Sequence, residues 1–292
     1  MNIHTIGLNL PNTPRSWMLY NRDGFDHEND GTLDLNRVTS WLANIPRRAL
    51  VLTDVEGKIG SHAAMGEDMA LNQIAMLGRH IRRVRSDCKI GHYGYPTAHN
   101  VGTHIPDVRQ DCFVAGRQCA FLGEVDFVAQ SFYMLSHHDR GNLDNVIDLT
   151  SRVAEDEGKP VHIVVMSRYT ESDGNPVKRY QPVPMDAFVG ELEYVKEQFA
   201  SMDTPVEAVH LWHEGWMDMA RYSVQDGTAP HIVAAREALQ GRYRKDDGTF
   251  NEKQALADMQ AEAVTYCGWI QKAFAAPVLT PTPSHDAGKE SK

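Results

Sequence analysis

Short apolar runs alternate with amphipathic stretches along most of this chain. The run Ala49-Leu50-Val51-Leu52 and the runs within residues 161–167 and 206–215 are nearly continuous in apolar side chains. Such runs, bounded by turn signals, predict strands buried on both faces. Further strands are expected at residues 2–10, 16–20, 89–96 and 125–135. Between them apolar residues recur at spacings of three and four, the helical period. Asp34 is expected to cap a helix with Leu35, Val38, Leu42 and Ile45 on one face, stopped by Pro46. A longer helix starts near Glu67-Asp68 and carries Ala70, Ile74, Leu77, Ile81 and Val84. Others are expected from Asp107 to Ala120, from Asn142 to a glycine stop at Gly158, from Asp186 through Phe199, and over residues 230–239 and 252–274. Strand and helix alternate at least five times with short connections, which predicts a parallel sheet flanked by helices. No Gly-x-Gly-x-x-Gly or phosphate loop follows the first strand, against a dinucleotide or P-loop fold. The expected fold is therefore α/β, a distorted (β/α) TIM-like barrel of seven or eight parallel strands. It spans residues 1–276 as one domain, and residues 277–292 form a flexible polar tail.

Composition narrows the function more than the fold. The chain has 292 residues, 42% of them hydrophobic, with a formal net charge of -10. That balance speaks against a nucleic-acid or anionic-membrane surface. Arg79, Arg82, Arg83 and Arg85 fall in the last turns of a helix, where cations suit the helix dipole, and are read as structural. None of the four cysteines, Cys88, Cys112, Cys119 and Cys267, forms a CxxC pair, and all are read as reduced. Neither a basic, apolar leader nor an apolar run of ~18 residues is visible. The expected setting is cytoplasmic or virion-associated. Partners other than a glycan are left as a homo-oligomer or a virion component.

Candidate chemistry gathers where strands end. Asp54 and Glu56 follow the run at 49–52, one residue apart, so both point to the same side of their strand. Buried acids are costly unless paired, hydrogen-bonded or useful. At the carboxyl end of a barrel strand they suggest acid/base work. Tyr93 and Tyr95 share a face of the next strand, with His92, Gly94 and Pro96 on the other, where small residues permit close approach of a neighbour. Ser131 and Tyr133 share a face with Phe127 and Ala129, while Ser167 and Glu214 end later strands. His210 and His213 face opposite ways, so no metal site is expected, nor any other cofactor. The acids of residues 21–33 match no calcium loop, and His137-His138-Asp139 is read as a surface loop.

The order of these pieces resembles the hyaluronidase family of glycoside hydrolases: Asp54-Val55-Glu56, then Gly91-His92-Tyr93-Gly94-Tyr95-Pro96 with Asn100, then Ser131-Phe132-Tyr133, then Leu211-Trp212. The resemblance is collinear over about residues 49–215. It implies a distorted barrel and substrate-assisted hydrolysis of an N-acetylated polysaccharide or related glycan. Glu56 would be the general acid, Asp54 and Tyr133 would orient the acetamido group that attacks the anomeric carbon, and Trp212 would line the sugar subsite. Tyr93, Tyr95 and Ser131 complete the expected substrate contacts. Gly57-Lys58-Ile59 stands where the family carries an aromatic residue and Arg-Pro, and Thr97-Ala98-His99 stands where it carries a half-cystine. The missing Arg argues against a hyaluronan-like substrate.

Three alternatives remain open at this level. Glu214 offers a second carboxylate, in which case the separation from Glu56 decides between retention, ~5–5.5 Å, and inversion, ~6.5–9.5 Å. The D-x-E also resembles that of phage-type lysozymes, which would make peptidoglycan the substrate. The other class is a non-catalytic glycan-binding or structural barrel, motivated by the missing Arg-Pro and the absent leader.

Overall fold

The computed structural model describes residues 1–20, 25–26, 30–55, 58–59, 68–94, 122–132, 140–168, 182–213 and 230–275. Seven strands, β1 (Asn2–Ile6), β2 (Arg15–Tyr20), β3 (Leu50–Asp54), β4 (Lys89–His92), β5 (Val128–Ser131), β6 (Val161–Met166) and β7 (Val206–Trp212), form one sheet in the order β4-β3-β2-β1-β7-β6-β5. Every pairing within it is parallel. Its two ends meet: Tyr93 bridges Ala129 in parallel, Gly94 N donates to Ala129 O, and Asp126 N donates to Ile90 O. The expected (β/α) barrel is thus present, with seven strands. Pairing overlaps by only two residues between β1 and β2, but by five between β2 and β3. Strands offset in this way tilt against the ring axis, as closure requires.

Around the ring stand α1 (Leu35–Leu42), α2 (Asp68–Val84), α3 (Arg140–Glu157), α4 (Met185–Ser201), α5 (Pro230–Tyr243) and α6 (Glu252–Ala275). Asp34 caps α1 as expected, accepting from Asn36 N and Arg37 N at 3.0 and 3.1 Å. Eight residues are too few for a helix to persist in water unaided, so the burial of Val38 and Leu42 holds it. The far end is closed by Arg85, whose guanidinium donates to the carbonyls of Leu42, Ile45 and Pro46. Arg79 and Arg82 engage Glu124 and Asp126, so this basic cluster is structural. Gly158, at φ +61°, follows α3. The last helix, α6, packs on α4: Phe188 meets Tyr266 edge-on at 4.8 Å, and Lys196 Nζ donates to Ala273 O.

Several expected boundaries move. The strand expected at 125–135 is β5, four residues long. Its apolar lead, Val125 and Phe127, is buried as packing instead of pairing. α3 begins at Arg140, two residues ahead of the expected cap Asn142. β1 and β7 stop short of residues 10 and 215. Gly91, on the tyrosine face, is needed for its small size: a Cβ there would lie 2.2 Å from the Phe127 ring. Gly94 has open space around it, and its requirement is φ +79°. Cys88 and Cys267 are free and buried. In the acidic loop, Asp26 accepts from Asp30 N and Gly31 N, so its carboxylate secures its own turn. The expected helix from Asp107, Cys112, Cys119, His137-His138-Asp139 and the tail lie outside the described residues. Among the described residues, no helix is long and apolar enough to cross a membrane.

Candidate active site at the carboxyl end of the ring

Side chains alternate along each strand, so the register decides what faces inward. Tyr20 of β2 pairs with Asp54 of β3, and Met166 of β6 pairs with Trp212 of β7. These inward positions, with Tyr93 just beyond β4 and Ser131 at the end of β5, form the uppermost interior layer. Asp54 is 5% exposed and Ser131 1%. The Tyr93 ring meets Trp212 edge-on at 5.4 Å, and Tyr20 lies tilted to Trp212 at 6.2 Å. Tyr20 and Trp212 are only partly buried, so their rings border the mouth. A carboxylate at the same ring end as these aromatic side chains can hydrogen-bond one polar group of a ligand while the rings cover its apolar faces.

The structure therefore brings Asp54, Tyr93, Ser131 and Trp212 to one end of the ring. Glu56, Tyr95, Tyr133 and Glu214 lie outside the described residues. Tyr20 was missed in the sequence, although a signal was there. Ser16, Met18 and Tyr20 occupy alternate positions, and the strand's last inward residue had to reach the same layer as Asp54. Ser167, expected among the strand-end residues, turns away from the interior and meets the His213 ring. Residues 210 and 213 do face opposite ways: His210 lies inside, bonded to Ser16 and His162. No cluster suited to a metal ion occurs among the described residues.

Ile6, Met18, Leu52 and Val164, all buried, add apolar side chains to the interior. The interior also holds a histidine ladder. Ser16 Oγ bonds His210 Nδ1 at 2.8 Å, and His210 Nε2 bonds His162 Nδ1 at 3.0 Å. Phe127 stacks on His162 at 4.0 Å, in the space Gly91 leaves, and His4 stacks on His210 at 5.1 Å. Burial pushes His162 down to about 3, helped by His4 and Lys89, and holds His210 well below its ordinary value. The ladder is neutral at pH 7. Either direction of its hydrogens gives His210 one donor and one acceptor.

No protein-family model matches the chain, and no curated protein matches it. Among solved structures it is similar to bee venom hyaluronidase, at 13% identity over 72% of this chain and 77% of that one, with a TM-score of 0.47. Bee venom hyaluronidase in complex with a hyaluronic acid tetramer gives 12% identity over 82% and 84%, with the same TM-score. D-psicose 3-epimerase from Clostridium cellulolyticum H10 gives 11% over 87% and 98%, with a TM-score of 0.34. The first two bear the family name that the motif order resembles. The barrel rests on its own strand order and closure.

Proposed function

We propose that this protein is a glycoside hydrolase-like enzyme cleaving an N-acetylated polysaccharide or a related glycan at the carboxyl end of its ring. The observation that carries the reading is Asp54 inside the uppermost layer, beside Tyr20 and in one layer with Tyr93 and Trp212. In this reading Asp54 accepts the acetamido N–H, which turns the acetamido oxygen toward the anomeric carbon. As that C–O bond forms, the glycosidic bond breaks and its oxygen takes a proton from Glu56. Water then adds at the anomeric carbon as the bond from that carbon to the acetamido oxygen breaks, restoring the acetamido group, and the water gives its proton to the Glu56 carboxylate. A carboxyl near a carboxylate holds its proton more firmly, the state a general acid needs. Tyr93, Trp212 and Tyr20 wall the sugar, with Tyr95, Tyr133 and Ser131 as further contacts.

The test is a reducing-end assay on hyaluronan, chitin oligosaccharides and peptidoglycan. Glu56→Gln should lower turnover by about two to four orders of magnitude, the usual weight of acid catalysis, with binding retained. Asp54→Asn should lower turnover of each of these substrates that the protein cleaves, since all three carry N-acetylated sugars. Full activity in Glu56→Gln would remove Glu56 from the acid's role. The second reading, a non-catalytic glycan-binding or structural barrel, is favoured by Gly57-Lys58-Ile59 in place of the family's Arg-Pro. Glycan binding with no cleavage across the panel would select it.

A further inference from the structure

A polar cluster lies on the outer side of the same ring end, behind Trp212. Ser167 and Arg168 follow β6, His213 follows β7, and Glu262 reaches them from α6. Ser167 Oγ bonds His213 Nδ1, Arg168 Nη2 pairs with Glu262 Oε2, and His213 Nε2 lies 3.8 Å from Glu262 Oε1. Serine, histidine and carboxylate are the residue types of a hydrolytic triad, but they do not have its geometry here. Ser167 is 1% exposed, and the carboxylate is engaged by Arg168. A nucleophile sealed from substrate does no chemistry.

What the cluster does reach is Trp212. Adjacent residues on a strand point to opposite faces, so His213 on the outside and Trp212 on the inside share one stretch of backbone. Clamping one fixes the other's direction. We propose that Glu262 is a positioning residue: it holds Arg168, the neighbour of Ser167, whose hydroxyl is bonded to His213, and so it locks the ends of β6 and β7 and sets the angle at which Trp212 stands in the mouth. The significance of that angle rests on the glycan-binding reading; the clamp itself does not. His213 is held neutral, pushed down to about 3 by burial first and by Arg168 second, while a hydrogen bond to the Met259 backbone works the other way. Burial raises Glu262, and Arg168 opposes it. The net direction for Glu262 is upward, and the charged groups that face His213 are Arg168 and Glu262.

The experiment uses the full chain. The indole N–H resonance of Trp212 is identified by its loss in Trp212→Phe, then followed in Glu262→Gln, which keeps the side-chain volume and removes the charge. Its resonance should shift, and an unmoved resonance in a folded variant overturns the proposal. If Glu262→Gln does not fold, Arg168→Gln/Glu262→Gln removes both charges together, the gentler change at a buried pair, and is read in the same way. Binding of chitotetraose or a hyaluronan tetrasaccharide should weaken roughly tenfold in Glu262→Gln. That loss should be non-additive with Trp212→Phe, as for coupled neighbours; strict additivity overturns the proposal. Should the wild-type protein bind neither sugar, the glycan reading fails, and the indole resonance alone decides the clamp.

Discussion

Gly91 shows how one missing methyl group shapes the interior. It stands on the inward face of β4, and Phe127 fills the space in front of it before stacking on His162. Gly91→Ala places a carbon 2.2–2.8 Å from three atoms of that ring. The ring is buried and cannot swing into solvent. Overpacking of this kind costs about 1–3 kcal/mol, so the urea midpoint should fall, and Gly91→Ala/Phe127→Leu should recover part of the loss. An unchanged midpoint in Gly91→Ala would show that Phe127 has room to move. Chemistry-bearing types such as Asp54, Tyr93 and Trp212 could be picked from sequence because alternation assigns their face once a strand is recognised. Tyr20 could not be ranked above other tyrosines without knowing that its strand lies beside β3. Glu262 carried no signal at all, since a helical glutamate reads as solvated until a buried arginine is found against it.

Elements were legible where the signal is local. The Asp34 cap and the spacing of Val38 and Leu42 placed α1 closely, because both act within two turns of chain. Asp34→Ala should cost about 1 kcal/mol, and Asp34→Ser much less, since serine also accepts from the first-turn amides. Equal urea midpoints for Asp34→Ala and the parent would show that the cap contributes nothing there. Strand ends were legible only roughly. A strand stops where its neighbour stops offering partners, which is information held elsewhere in the chain. β5 illustrates this: Val125 and Phe127 are as apolar as the strand itself, yet Asp126 N already turns aside to Ile90 O. The glycine stop at Gly158 needed no such information, because a left-handed residue after a helix is a backbone requirement.

At the scale of the molecule, alternation gave the barrel, but closure was not readable. It depends on β4 meeting β5 across a long intervening segment. The interior also carries a charge-state consequence. Burial pushes His92, His162 and His213 down to about 3, and His210 well below its ordinary 6.5. A group whose folded-state pKa is depressed binds fewer protons folded than unfolded, so its contribution is intact above the unfolded value. It is lost as pH falls from about 6.5 toward about 3. Relief of self-repulsion in a chain of net charge -10 would act in the opposite sense over the upper part of that window. The urea midpoint should fall between pH 7 and pH 4. A midpoint that rises over that interval would show the histidines to be minor contributors.

The pairing of β1 with β7 joins residues 2–6 to residues 208–212. On the ribosome the first strand therefore waits for nearly three quarters of the chain before its second neighbour emerges. Until then β1 and β6 are bare sheet edges, the kind that pair promiscuously with other chains. Nascent chains halted before residue 206 should be the aggregation-prone species, and a holdase chaperone would find its substrate there.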